Sequence, residues 1–163
     1  MPSNDHPSPN DLRILALLQR DGRASYEKLG AAAGMSAPSA HERVKRLEAR
    51  GIVQGYVAQV DPTALGLRVL AFSRIRQAPG TPTTDLTADF ATIPEIQECH
   101  HVAGEADYLL KIRALDTLDL ERVMRRVQAI RHVYTSETEI VFSTAFEGRP
   151  LPLGRETGDG PEA

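Results

Sequence analysis

The chain has 163 residues, 41% of them hydrophobic and 25% charged, the balance of one globular domain or two small ones, and no apolar run approaches the roughly 20 residues that span a bilayer. One cysteine, Cys99, excludes an internal disulfide and leaves a zinc knuckle without its second ligand; Met1–Asn10 lacks the basic-then-apolar pattern of a secretory signal, so a cytoplasmic location is expected. The net charge of −3 conceals a split: residues 10–60 hold eight Lys/Arg against five Asp/Glu and residues 61–163 eleven against sixteen, so only the first part suits an anionic partner.

Residues 1–9 are expected to be flexible. Leu12, Ile14, Leu15, Leu17 and Leu18 keep an apolar stripe on one face of a helix over about Asn10–Arg20, stopped by Asp21-Gly22. A second helix starts at Ser25, a natural N-cap, and ends near Gly34. Only Gly34-Met35-Ser36 separates it from a third, capped by Ser36 with Pro38 in its first turn and closed by Gly51. On that helix Ala40, Val44 and Leu47 share one side, while Ser39, Glu42, Arg43 and Arg46 fall on the other.

After Gly51 the pattern changes. Ile52–Val60 reads as a strand or hairpin arm ended by Asp61-Pro62, and makes a hinge over residues 53–66. Beyond it the order is strand (Val69–Arg76), helix (Asp85–Thr92, before Pro94), strand (Ile96–Val102), strand (Asp107–Ala114), helix (Thr117–Ile130) and strand (Tyr134–Phe146). This βαββαβ order is the ferredoxin-like split arrangement, with both helices on one face of a four-stranded sheet. Apolar neighbours such as Leu70 and Phe72 beside Val69 and Ala71 load the other face too, which predicts a second protomer as its cover. The tail, residues 148–163, is rich in Gly, Pro and acid, is expected to be partly disordered, and is assigned no chemistry.

A helix that reads duplex DNA must expose short polar groups at its N-terminal end and cations for phosphates or guanine edges. Ser36, Ser39, His41, Glu42, Arg43, Lys45 and Arg46 supply that mixture. Arg43 and Arg46 are the candidates for bidentate guanine contacts, Lys45 and Arg50 for phosphate. Spacing alone also fits a small helical bundle with a solvated basic face; the short Gly-containing turn, the capped third helix and the following strand together favour the reader.

The run from Met35 through Glu48, continuing as Arg50-Gly51-Ile52-Val53-Gln54-Gly55-Tyr56, resembles the Lrp/AsnC family of transcription regulators, and Ile96–Leu110 resembles the central hairpin of that family's amino-acid-sensing domain. The resemblance spans about Asp11–Leu153. It implies an α+β chain: a winged helix-turn-helix DNA-binding domain over 10–52, a β-strand linker, and a ferredoxin-like, ACT-like sensing and oligomerisation domain over 67–147. It also implies homodimers assembling further, to octamers among other states, and binding to double-stranded promoter DNA under the control of a small effector, commonly an amino acid. Ser25, Tyr26, Ala37 and Pro38 then join the DNA-contact candidates at the helix N-termini.

By the same resemblance the turn Ala103-Gly104-Glu105-Ala106-Asp107, with Tyr108 after it, is the effector loop, and Thr135, Ser136 and Thr138 lie where the last strand approaches it. Gly104 would let backbone N–H groups reach a carboxylate, and Glu105 or Asp107 would hold an ammonium. Many relatives have Ser-Gly-Asp where this chain has Ala103-Gly104-Glu105, so a hydroxyl is lost and the acid is one methylene longer. A plain hairpin shaped by Gly104, with Asp107 bonded to its own turn, fits the same residues. No cofactor or metal is expected within a protomer: in a strand His100 and His101 point to opposite faces, and Cys99 points away from His100, which leaves open only a metal shared between subunits. An enzymatic alternative, tetrapyrrole decarboxylation by His100 and His101 on a related fold, leaves the basic third helix without a purpose.

Overall fold

The computed structural model describes residues 6–79 and 85–153; the expected flexibility of residues 1–5 and of the tail beyond 153 lies outside the described residues. The chain divides into two compact units, one of residues 1–59 with 146–163, the other of residues 60–145.

The first unit holds α1 (Pro9–Leu18), α2 (Tyr26–Ala33) and α3 (Ala37–Ala49). Helix α1 begins earlier than its apolar stripe suggested, because Ser8 and Asp11 form a reciprocal capping box around its first turn. Residues 8 and 9 therefore belong to the folded unit. Ser25 and Ser36 cap α2 and α3 as their positions predicted. Between those helices the turn is tight: Gly34 takes φ +68°, and the Met35 N–H donates to the Gly30 carbonyl at 2.8 Å. Ile14, Leu15, Leu29, Ala33, Ala40, Val44 and Leu47 form the core, with Ile52, Val53 and Leu153 packed against it.

Residues 52–60 form no strand, contrary to the hinge-strand expectation, and no wing strand occurs among the described residues of this unit. A strand needs a ladder partner, and none pairs with this stretch among the described residues; Val57 is 91% exposed. The C-terminal segment is the other departure from composition. It returns to this unit, where the Leu151 N–H donates to Gln19 Oε1 at 2.5 Å and Gln19 Nε2 donates to the Leu151 carbonyl at 3.3 Å.

The second unit contains a 3₁₀ turn (Thr63–Leu65), β1 (Val69–Gln77), α4 (Thr87–Phe90), β2 (Ile96–His101), β3 (Tyr108–Ala114), α5 (Thr117–Gln128) and β4 (Val133–Ile140). The sheet order is β2-β3-β1-β4, and every pairing is antiparallel. This is the ferredoxin-like order that the βαββαβ reading implies, so the chain is α+β. Helix α4 is a single turn rather than the eight residues expected. Strand β4 ends at Ile140, opposite Ala71, with one further bond from the Val141 N–H to the Leu70 carbonyl at 2.9 Å; Phe142 and Phe146 lie beyond the ladder and are exposed.

Ala71, Ile75, Leu110, Ile112 and Ala114 on one sheet face pack with Phe90, Leu120, Val123 and Val127 from the helices. The opposite face is less apolar than the sequence suggested. Leu70, Phe72 and Leu109 share it with an Arg74–Glu139 pair at 2.5 Å and a Lys111–Glu98 pair at 2.7 Å.

Candidate functional site

In the first unit α3 presents three sides. Ala40, Val44 and Leu47 are buried to 1% exposure or less, and at about 100° per residue the side opposite them carries Pro38, Glu42, Lys45 and Ala49, flanked by Ser39 and Arg46. All of these are exposed. Ser36 spends its hydroxyl on the Ser39 N–H at 3.4 Å and lies 2.9 Å from the Ser39 hydroxyl. Ala37 is half-buried in the first turn and Arg50 caps the C-terminal end. Ser25 caps α2 by accepting from the Lys28 N–H.

Two of the expected DNA contacts sit on the flanks of α3. His41 meets Tyr26 of α2 edge to face, with ring centroids 4.7 Å apart, and its Nδ1 lies 3.6 Å from Glu42. Arg43, expected from its charge to offer a fork to a guanine, has its Nη1 committed inside the unit. It lies only about 60° from the core stripe, and its guanidinium donates to Asp11 Oδ1 at 2.9 Å and to Ser8 Oγ at 3.2 Å. Asp11 is 4% exposed. Burial alone would raise its carboxyl, but hydrogen bonds from Ser8 and Arg43 outweigh that and hold it below the usual carboxylate value. Arg46 Nη2 stands 4.0 Å from the same carboxylate.

Sequence reasoning missed Tyr56, whose hydroxyl donates to Glu48 of α3 at 2.9 Å. Burial, followed by the Glu48 carboxylate, pushes its pKa up to about 12. Tyr56 lies outside the periodic pattern of the helices, so spacing gave it no contact with α3.

In the second unit the loop joining β2 to β3 carries the other candidates. Gly104 has φ +139°, a conformation closed to residues with a Cβ, and Ala103, Gly104 and Glu105 are exposed. The Glu105 carboxylate lies 3.3 Å from Arg76 of β1, and Thr135 sits in register beside Arg76. Asp107 is committed to the fold: its carboxylate accepts from the Gln77 N–H at 2.7 Å and its N–H donates to the Ile75 carbonyl. Ala106 and Tyr108 are buried, and the Tyr108 hydroxyl accepts from the Leu86 N–H. Ser136 and Thr138 are on the helix-covered face, where they meet Gln128 and Ser73 respectively. The structure therefore brings Glu105, Arg76 and Thr135 together and sets Ser136 and Thr138 on the other side of the sheet. Arg76 escaped sequence reasoning because only the sheet register places it beside the loop.

His100 and His101 are divided as strand geometry requires: His100 reaches Glu98 at 3.2 Å, and His101 lies against the Tyr108 ring at 5.0 Å. Burial, then the charge of Asp85, pushes the Cys99 thiol up, the opposite of what activates a nucleophile.

Comparison with known proteins finds two domains in the same order. Residues 10–48 match the AsnC-type helix-turn-helix domain and residues 70–151 the Lrp/AsnC ligand binding domain. The HTH-type transcriptional regulator LrpA of Mycobacterium tuberculosis is 36% identical over 139 residues, covering 85% of this chain and 92% of that protein. The leucine-responsive regulatory protein of Escherichia coli K12 is 44% identical over 110 residues, covering 65% and 66%. Among solved structures, the feast or famine regulatory protein of M. tuberculosis complexed with L-methionine matches with a TM-score of 0.81 at 35% identity, over 86% of this chain and 95% of that one. With both domains present in this order, and with relatives that share them over most of their length, the chain belongs to the Lrp/AsnC family of transcription regulators.

Proposed function

We propose that the chain binds duplex promoter DNA sequence-specifically through α3, as a homodimer that assembles further to an octamer in the cytoplasm, under the control of an amino-acid effector. The observation that carries this reading is the outward side of α3, where Ser39, Glu42, Lys45 and Arg46 stand exposed on a helix whose opposite side is sealed into the core. Arg46 suits a guanine edge, Lys45 and Arg50 suit phosphates, and Ser36 and Ser39 suit bases or backbone at the helix N-terminus. Pairing through the second unit would set two readers at half-sites about one helical turn, or multiples of it, apart.

For the effector, Arg76 and Glu105 at the loop are one cation and one anion at 3.3 Å. Parted by a ligand, they match the carboxylate and ammonium of an α-amino acid, with Thr135 as a further polar contact. Crystallised relatives from M. tuberculosis and Neisseria meningitidis carry L-methionine, so methionine is the first probe. The separation of His100 from His101 and the raised Cys99 thiol favour a regulator over an enzyme.

The test is a titration of the full-length chain onto the duplex upstream of its own gene at several salt concentrations, with and without L-methionine and the other common amino acids. Salt-dependent, saturable binding that exceeds binding to an unrelated duplex is expected. Equal affinity for every duplex sinks the specificity, and no change in DNA binding or assembly with any amino acid sinks the effector.

A further inference from the structure

Asp11 is a buried carboxylate, 4% exposed, and among the described residues its close contacts lead to the reading helix or to its own cap. Its Oδ2 accepts from the Ser8 N–H at 3.0 Å and the Ser8 hydroxyl at 2.6 Å. Its Oδ1 accepts from Arg43 at 2.9 Å, and the same Arg43 nitrogen donates to Ser8 Oγ at 3.2 Å. Three residues thus join the first turn of α1 to the middle of α3 in a closed network.

The apolar core behind α3 holds the helix down but is non-directional: Ala40, Val44 and Leu47 would stay covered through a modest roll about the helix axis. The charged network is directional and short. On the opposite flank His41 rests edge-on against Tyr26. One contact on each flank fixes the roll.

From this geometry we infer that Asp11 and Arg43 are positioning residues that set the rotation of α3 about its own axis, and that Arg43 reads no base. The inference rests on the proposed DNA-binding role of α3 and names what aims it. A roll of about 20° moves a side-chain atom about 5.5 Å from the axis by about 2 Å. That exceeds the spread of about 0.5 Å within which N–H···O hydrogen bonds to base edges form. All base contacts would then weaken together, with no change in which base is preferred.

The experiment uses the full-length chain, Arg43→Lys, Asp11→Asn and the double variant. Lysine keeps the charge but lacks the planar fork, and asparagine keeps the volume but places a donor against one of the Ser8 donors. Each protein selects from a randomised duplex library. The positioning role predicts that each single variant binds the wild-type site about tenfold more weakly, with the same preferred base at every position, and that the double variant is no weaker than either single one. If Arg43→Lys erases the preference at one base position while Asp11→Asn binds as the wild type does, Arg43 is a reader and the inference is overturned.

Amide hydrogen exchange without DNA supplies a second arm. The α3 amides should lose protection to the same extent in both single variants and in the double variant, and additive losses overturn the network. If the wild-type chain enriches no duplex, the DNA-binding reading fails, while the exchange arm still decides whether Asp11 and Arg43 act as one unit.

Discussion

A Cβ added to Gly30 would stand 2.6 Å from the carbonyl oxygen of Met35. It would also meet the Ser36 backbone at 3.1 Å, so the end of α2 passes the start of α3 closely enough to exclude even a methyl group. Gly30→Ala should therefore destabilise the first unit by about 1–3 kcal/mol through overpacking, although alanine is the better helix former by about 1 kcal/mol. Thermal unfolding followed by circular dichroism measures the sign, and a raised midpoint would show that the turn yields.

The Ser8–Asp11–Arg43 network also dictates a pH dependence. Asp11 has a folded pKa below its ordinary 3.8, so its contribution to stability is complete above that value and is lost as pH falls through the lower folded one. Between about pH 6 and about pH 3 the urea midpoint of the wild-type chain should fall more than that of Asp11→Asn. At the upper pH the variant should be weaker by about 1.5–3 kcal/mol, the range for hydrogen bonds to a charged group. Parallel pH profiles would contradict the network.

At the other end of the chain, Gln19 holds the main chain of Leu151, and Leu153 packs against the core of the first unit. Leu153→Ala should cost about 1–2 kcal/mol of that unit's stability. Gln19→Ala should raise amide exchange at the C-terminal end of α1 and across residues 52–56, which line the same groove. Unchanged exchange there would mean that the segment rests on the surface without holding it.

In the proposed reading Lys45 and Arg46 make two different kinds of DNA contact. Lys45→Ala should weaken binding to all duplexes alike and lower the slope of log affinity against log salt by about 0.9. Arg46→Ala should weaken the preferred site more, by about 1–3 kcal/mol against other sequences. Binding isotherms on a specific and a scrambled duplex at four salt concentrations distinguish the two.

Tyr56 offers a spectroscopic check on the contact between α3 and the segment after it. Its pKa of about 12 means that the neutral phenol is favoured in the folded chain, so the Glu48 contact is intact below about pH 10 and is lost as pH rises toward 12. An ultraviolet titration should show a late tyrosine step that Tyr56→Phe removes.

Caps and periodicity made most of the fold legible. Ser25, Ser36 and Gly34 each carry local chemistry that fixes a helix end whatever surrounds it, and the βαββαβ order follows from segment lengths. What stayed hidden depends on pairing. A strand at Ile52–Val60 has the right residues but no ladder neighbour among the described ones. The site shows the same division. That α3 is amphipathic follows from spacing, but Arg43 and Glu42 look alike as polar positions, and only the approach of α1 shows that Arg43 is held by Asp11. The Ser8-x-x-Asp11 spacing is a readable cap signal, masked by an apolar stripe that begins only at Leu12.

The return of residues 146–153 to the first unit bears on how such a chain can be recombined. The DNA-binding half is not one continuous stretch of sequence: it is assembled from both ends of the described chain, with the whole sheet inserted between them. A chimera made by a single crossover near residue 60 would join this reader to a foreign C-terminal segment and leave Leu15, Leu18 and Ile52 facing a sequence not shaped for them. Transplanting the reader's specificity onto another sensing domain therefore calls for two junctions, one in the linker and one just after β4, so that Gln19 keeps its own Leu151.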